Sequence, residues 1–115
     1  MSTITHLECS KCGQRREAGH IHNLCECGGP LLVRYDLDRA RVTWSRESLA
    51  AGPCNMWRYA PVLPVQNPSS IVTLGEGMTP LLRVNRFARS LGASDVWVKD
   101  EGLNPTGSFK ARGLS

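Results

Sequence analysis

Residues 99–113 read KDEGLNPTGSFKARG, and the lysine at position 110 decides how the rest of the chain is read. Gly102, Asn104, Pro105 and Gly107 punctuate a loop, because glycine tolerates left-handed backbone and proline withholds an amide donor. The next stretch, SFKARGLS (residues 108–115), is predicted to begin a helix with Ser108 at its N-cap. Lys110 would then stand in a first turn, near the positive end of the helix dipole. Lysine captures a carbonyl carbon only when its amine is deprotonated, and its ordinary pKa is about 10.4. The dipole, the charge of Arg112 and desolvation between Phe109 and an aromatic ligand would all push that value down. Thr106, Gly107 and Ser108 offer backbone and hydroxyl groups for close approach to a ligand. A lysine early in a helix is ordinarily a surface lysine, so the chemistry becomes specific only through the surrounding string.

Upstream, VWVK (residues 96–99) is a short apolar run suited to a strand buried on both faces of a parallel sheet. NRFARSLG (residues 85–92) reads as a helix with Asn85 as N-cap, Gly92 as stop, and Val84, Phe87, Ala88 and Leu91 on one face. TPLLRVN (residues 79–85) reads as a strand or extended segment. The region from Ile71 onward is the opening of an α/β domain. A buried parallel strand needs neighbours at both edges and layers on both faces, and about 45 residues do not supply them. The region is therefore expected to be the start of a larger domain.

Residues 6–35 hold four of the five cysteines, as Cys9-x2-Cys12, twelve intervening residues, then Cys25-x-Cys27. Each pair is followed by glycine, which suits tight turns that aim backbone N–H groups at sulfur. Two such pairs across a short loop suit a closed tetrahedral thiolate site, the usual setting of structural Zn²⁺. A ribbon of this size has little core, so metal would supply much of its folding free energy. Four reduced thiols or two disulfides are the alternatives, and the single-residue spacing of the second pair is tighter than usual. His20 and His22 are candidate substitutes for a cysteine ligand, or solvent-facing loop residues. Cys54 has no partner in sequence and reads as a small buried hydrophobe.

Residues 36–70 connect these regions. TWSRESLAAG (residues 43–52) reads as a short helix between Ser45 and Gly52, and YAPVLPVQNPSS (residues 59–70) as extended or irregular chain, given its three prolines.

The net charge of +4 divides as +1 over residues 1–35, +1 over 36–70 and +2 over 71–115. A surface so thinly charged, with Tyr35 as the only aromatic of the ribbon, argues against a nucleic-acid partner. No segment approaches the roughly 20 apolar residues of a membrane span. The start, MSTITHLECS, lacks the basic and apolar regions of a secretion signal, so a cytoplasmic location is expected.

KDEGLNPTGSFKARG resembles the cofactor-binding lysine motif of the fold-type II pyridoxal-phosphate enzymes, and within them that of the threonine synthases. TLGEGMTPLL (residues 73–82) is similar to the glycine-rich Thr-Pro-Leu segment that these enzymes place one helix and one strand before the lysine. CECGGPLLVRYD (residues 25–36) and Trp57-Arg58-Tyr59 are similar to the ribbon and the connecting stretch of a subset of threonine synthases. The resemblance implies a zinc-ribbon-like segment (6–35) followed by the start of a tryptophan-synthase-β-like domain (71–115). It implies pyridoxal 5'-phosphate bonded at Lys110 and packed by Phe109, with Zn²⁺ on Cys9, Cys12, Cys25 and Cys27.

The activity implied is conversion of O-phospho-L-homoserine and water to L-threonine and phosphate, by a lyase acting as a possible homodimer. Ala111 stands where many members of the family have aspartate, which bears on the substrate rather than on the cofactor. The groups that bind the cofactor's phosphate and ring nitrogen lie beyond the lysine in that family, so the 115 residues are expected to be inactive alone. Alternatives are a sister enzyme such as cysteate synthase, a threonine or serine dehydratase or a cysteine synthase, or a free-standing zinc-ribbon adaptor.

Overall fold

In the computed structural model, which describes residues 1–114, the chain divides into two compact units. The first comprises Met1–Gly52 and Trp57–Ile71; the second comprises Pro53–Met56 and the chain from Val72 onward. Ser115 lies outside the described residues.

The first unit is built on an antiparallel sheet in which β1 (Ile4–Cys9) lies between β2 (Arg15–Arg16) and β3 (Leu31–Tyr35). Leu31, Val33 and Tyr35 are half-buried while Leu32 and Arg34 face water, the two-residue period of a strand with one covered face. Leu7 stands opposite Val33 on this sheet. The register slips between Ile4 and His6, making Thr5 the extra residue of a bulge. Its hydroxyl donates to the Arg34 carbonyl at 3.0 Å. Glu8 accepts from Arg34 Nη2 at 2.6 Å and Nε at 3.1 Å, and that guanidinium holds its carboxyl below the ordinary carboxylate range.

Two helices follow where the sequence reading has one. α1 (Leu37–Thr43) is capped by Asp36, which accepts from the Arg39 amide at 2.9 Å; this cap was visible in the sequence and went unread. α2 (Arg46–Ala51) begins at Ser45 with a reciprocal capping box to Ser48 and ends at Gly52, as expected. Trp44 and Tyr59 pack edge to face with centroids 5.8 Å apart. Within the stretch read as extended or irregular, a run of 3-10 turns over Met56–Val62 takes in its start, and Pro68–Ser70 forms another. Both accommodate proline: the first run kinks at Tyr59 ahead of Pro61, and Pro68 takes the first helical position behind the Asn67 cap. The Thr3 amide and hydroxyl both donate to the Pro61 carbonyl, at 2.8 and 2.9 Å, tying this segment to the strand start.

In the second unit β4 (Leu81–Arg83) and β5 (Trp97–Lys99) pair antiparallel, with Leu82 opposite Val98. This corrects the expected buried parallel strand: Trp97 and Val98 are 53% and 44% exposed, because no described residues form a layer over them. α3 (Asn85–Ser90) lies between the strands. Val84, not Asn85, is its N-cap, and it has no side-chain cap bond. Of its apolar face only Ala88 is buried; Phe87 and Leu91 are exposed. Its end is a Schellman motif: Ala93 N donates to Ala88 O, Gly92 N to Arg89 O, and Gly92 has φ +66°. α4 (Ala111–Leu114) closes the described chain. No helix among the described residues is long and apolar enough to cross a membrane.

Candidate functional sites

In the first unit, β1 carries Cys9 to the sheet end and a turn brings Cys12 back beside it, closed by Gly13 N donating to Cys9 O at 3.0 Å. A second turn does the same for Cys25 and Cys27, with Gly28 N donating to Cys25 O at 2.8 Å. Gly13 and Gly28 have φ +72° and +75°, the left-handed conformation that both turns require. The four sulfurs all lie within 4.8 Å of one another, with Cys9–Cys27 at 3.5 Å and Cys12–Cys25 at 3.6 Å. A tetrahedron with metal–sulfur bonds of ~2.3 Å has edges of about 3.8 Å, so the donor set fits a Zn²⁺-sized ion. All five cysteines are free thiols, which sets the disulfide alternative aside.

The backbone is arranged for negative sulfur. Lys11 N points at Cys9 Sγ at 3.4 Å. Hydrogen bonds from the Cys12 and Lys11 amides overcome desolvation and lower the Cys9 thiol to about 6. The Gly29 amide favours the Cys27 thiolate, but the neighbouring thiols of Cys9 and Cys12 and burial outweigh it and raise Cys27 to about 12. One sulfur is thus favoured as thiolate and its neighbour disfavoured, because closely packed thiols oppose a second negative charge. A β-carbon added at Gly29 would come 2.7 Å from Cys9 Sγ, so the second turn passes too close to the cluster for any side chain there. His20 and His22 are outside the cluster: His20 Nδ1 lies 3.0 Å from a Glu17 carboxylate oxygen and His22 Nε2 lies 3.0 Å from the Glu17 carbonyl. Cys54 is exposed, correcting its expected burial; it lies in a turn between α2 and the 3-10 run.

In the second unit Lys110 immediately precedes α4 instead of standing in its first turn. Its amide donates to Ser108 Oγ at 3.2 Å, so Ser108 shapes the turn into the helix. Gly107, with φ +67°, donates to the Asn104 carbonyl at 2.8 Å and turns the loop. Lys110 is exposed, and with Phe109, Gly113 and Leu114 it lines an open, mainly apolar depression. Its Nζ has no hydrogen-bond or ion-pair partner among the described residues. Arg112, expected to act on the lysine as a bare charge, is instead committed to Glu101 through Nε at 2.6 Å and Nη2 at 2.8 Å.

Glu101 is the hub that the sequence reading missed. Thr79 Oγ1 donates to its Oε1 at 2.6 Å and Asn104 Nδ2 to its Oε2 at 2.9 Å. The Arg112 fork, with Thr79 and Asn104, holds the carboxyl down at about 2 against desolvation. Asn104 also accepts from Gly77 N at 3.1 Å, joining the lysine loop to the glycine-rich segment. That segment is wound tightly: Gly75, Gly77 and Met78 all have positive φ, and Met78 at +50° is the sole non-glycine in that region among the described residues. Glu76, with no exposed surface, accepts from Thr73 Oγ1 at 2.9 Å and Leu74 N at 2.8 Å. Charges at positions 101 and 112 around the lysine were the available signal for the hub.

Residues 72–115 match a family model described as "Pyridoxal-phosphate dependent enzyme". Nearly the whole chain is in turn similar to threonine synthases. It is 45% identical over 107 residues to the threonine synthase of Methanocaldococcus jannaschii, covering 93% of this chain and 26% of that protein. It is 39% identical over 111 residues to that of Methanosarcina acetivorans, covering 96% of this chain and 26% of the relative. A third, from Synechocystis, is 50% identical over 58 residues, half of this chain and 15% of that protein. The chain thus spans about a quarter of the length of the first two relatives. No solved structure matches it.

Proposed function

We propose that this chain is part of a threonine synthase, a pyridoxal-phosphate-dependent lyase that converts O-phospho-L-homoserine and water to L-threonine and phosphate. The observation that carries the reading is 39–45% identity to threonine synthases over nearly all of the chain. Lys110 is the residue that bonds to the cofactor's aldehyde, and Phe109 packs against the ring. In support, the amine is uncommitted, it stands at an open apolar depression, and its loop is held by hydrogen bonds on both sides. When bound, pyridoxal phosphate stabilises negative charge at carbons next to the substrate nitrogen. With the cofactor bound, Lys110 Nζ would take and return protons as general base and acid.

Cys9, Cys12, Cys25 and Cys27 hold a structural Zn²⁺. Four sulfur ligands leave no open position for substrate, so the metal's work is to hold the two turns together. Free cysteines fit a reducing compartment, and we assign the protein to the cytoplasm.

The test is release of phosphate and threonine from O-phospho-L-homoserine by the protein carrying this chain, beside its Lys110→Ala form. Threonine formed only when Lys110 is present supports the reading. Release unaffected by the substitution refutes the role of the lysine, and turnover of other amino acids but not phosphohomoserine points to a sister enzyme. Metal analysis expected to give one zinc per chain tests the cysteine site separately.

A further inference from the structure

Lys110 Nζ has no hydrogen-bond or ion-pair partner among the described residues, yet the loop that carries it is held by bonds on both sides. Two of its residues, Asn104 and Arg112, converge from either side of the lysine on one carboxylate, that of Glu101. Glu101 in turn grips Thr79, and Arg112 Nη2 reaches the same hydroxyl at 3.3 Å. Lys99 Nζ donates to the Thr79 carbonyl and the Asp100 amide to the Pro80 carbonyl, fixing the Thr-Pro segment to the end of β5. Within this arrangement a single side chain spans the start of the lysine loop, its end and the glycine-rich segment. Thr79 and Asn104 are buried, which shields these bonds from competition by water.

We propose that Glu101 is the positioning residue for Lys110: its carboxylate clamps both ends of the lysine loop to Thr79 and so holds Nζ at the depression before any ligand arrives. The proposal rests on the reading of Lys110 as the cofactor lysine. Glu101 touches neither cofactor nor substrate in this account. It acts by removing loop conformations in which Nζ points elsewhere, so that ligand binding need not supply the cost of ordering the loop.

The chain has three lysines, Lys11, Lys99 and Lys110, so selectivity can be read within one molecule. The probe is pyridoxal 5'-phosphate followed by borohydride. The amine lone pair attacks the aldehyde carbon, water leaves, and hydride reduces the C=N bond to a stable C–N bond found by peptide mapping. Lys110 of the unaltered chain is expected to label well ahead of exposed Lys11, and Glu101→Gln to cut that ratio by about tenfold or more, up to the roughly hundredfold that a 1 Å misplacement can cost. Glu101→Asp should restore part of it. Amide hydrogen exchange, with no cofactor present, should show Gly77 and residues 104–113 losing protection in Glu101→Gln. Should Glu101→Gln unfold the unit, Thr79→Val, which leaves the ion pair in place, is expected to lower the labelling ratio by a smaller factor.

Each adverse outcome has its own meaning. Equal labelling of Lys110 and Lys11 in the unaltered chain overturns the reading of Lys110. Selective labelling that survives Glu101→Gln, or survives Thr79→Val where the first variant is unfolded, overturns the positioning role. Unchanged exchange in a folded Glu101→Gln chain overturns the clamp.

Discussion

Replacing Gly29 by alanine should weaken Zn²⁺ binding at the proposed cysteine site, and the structure indicates by how much. The added carbon would sit 2.7 Å from Cys9 Sγ and 3.0 Å from Lys11 Cβ, where ordinary contacts begin at 3.4 Å. Cys9 Sγ or the Gly29 backbone must therefore give by roughly 0.3–0.7 Å, while metal–ligand distances tolerate only about ±0.2 Å. Gly29 N also favours the Cys27 thiolate, so moving the backbone would disturb two ligands together. A loss of one to two orders of magnitude in zinc affinity is expected, about 1.4–2.8 kcal/mol, the range found when groups supporting a ligand are lost. The assay is competition for Zn²⁺ against a chromophoric chelator, with Gly19→Ala as control because its β-carbon meets nothing within 4 Å. Gly28→Ala separates steric from backbone effects: its β-carbon also meets nothing within 4 Å, but φ is +75°, costing about 1 kcal/mol with no sulfur displaced. If Gly29→Ala binds zinc within about twofold of the unaltered chain, or Gly19→Ala loses as much, the assignment of these turns as a metal cradle is wrong.

Three other perturbations probe the lysine unit. Glu101 titrates at about 2 in the fold against 4.5 ordinarily, so its contribution to stability is complete above pH 4.5 and disappears as pH falls through about 2. Exchange protection of the lysine loop followed from pH 5 downward should trace that loss, and a loop already released at pH 4.5 would contradict it. Asn104→Ala strands the Gly77 amide and opens one side of Glu101, for an expected loss of about 1–3 kcal/mol in urea unfolding, whereas a change under 0.5 would refute the bond's importance. Gly77→Ala should be the most damaging of all, because its β-carbon would sit 2.6 Å from Met56 N and its φ is +109°. Thermal unfolding unchanged by that substitution would show that the segment does not pack as described.

The cysteine turns were legible because spacing and glycines encode them locally: a turn of three or four residues needs no distant partner. α2 was legible for the same reason, with Ser45 and Gly52 marking its ends. What could not be read was whatever depends on groups far apart in the chain. VWVK reads as a doubly buried strand from its composition, yet burial requires layers that sequence does not display, and here Trp97, Val98 and Lys99 are exposed. The 3-10 turns across Pro61 and Pro68 went unread because proline excludes α-helix more strongly than it excludes shorter turns. Lys110 could be found from its neighbours in the motif. Glu101 was only half legible: its charge and that of Arg112 stand in the motif, but its meeting with Thr79, 22 positions away, does not show there.

The two sites solve opposite problems with the same device. At the cysteines the reactive atoms must be drawn together despite their mutual resistance, and backbone amides on Cys9 and Cys27 favour the negative charge that a cation would then neutralise. At the lysine the reactive atom must be left uncommitted, since an amine held by a carboxylate would have to be freed before it could attack. The carboxylate nearest in the motif, Glu101, is instead occupied by Arg112, Thr79 and Asn104. Arg112 thereby keeps Glu101 from pairing with Lys110, and Glu101 keeps the loop in place. Opposite charges two and nine residues from the lysine cancel each other locally, leaving an ordered backbone that carries an uncommitted amine.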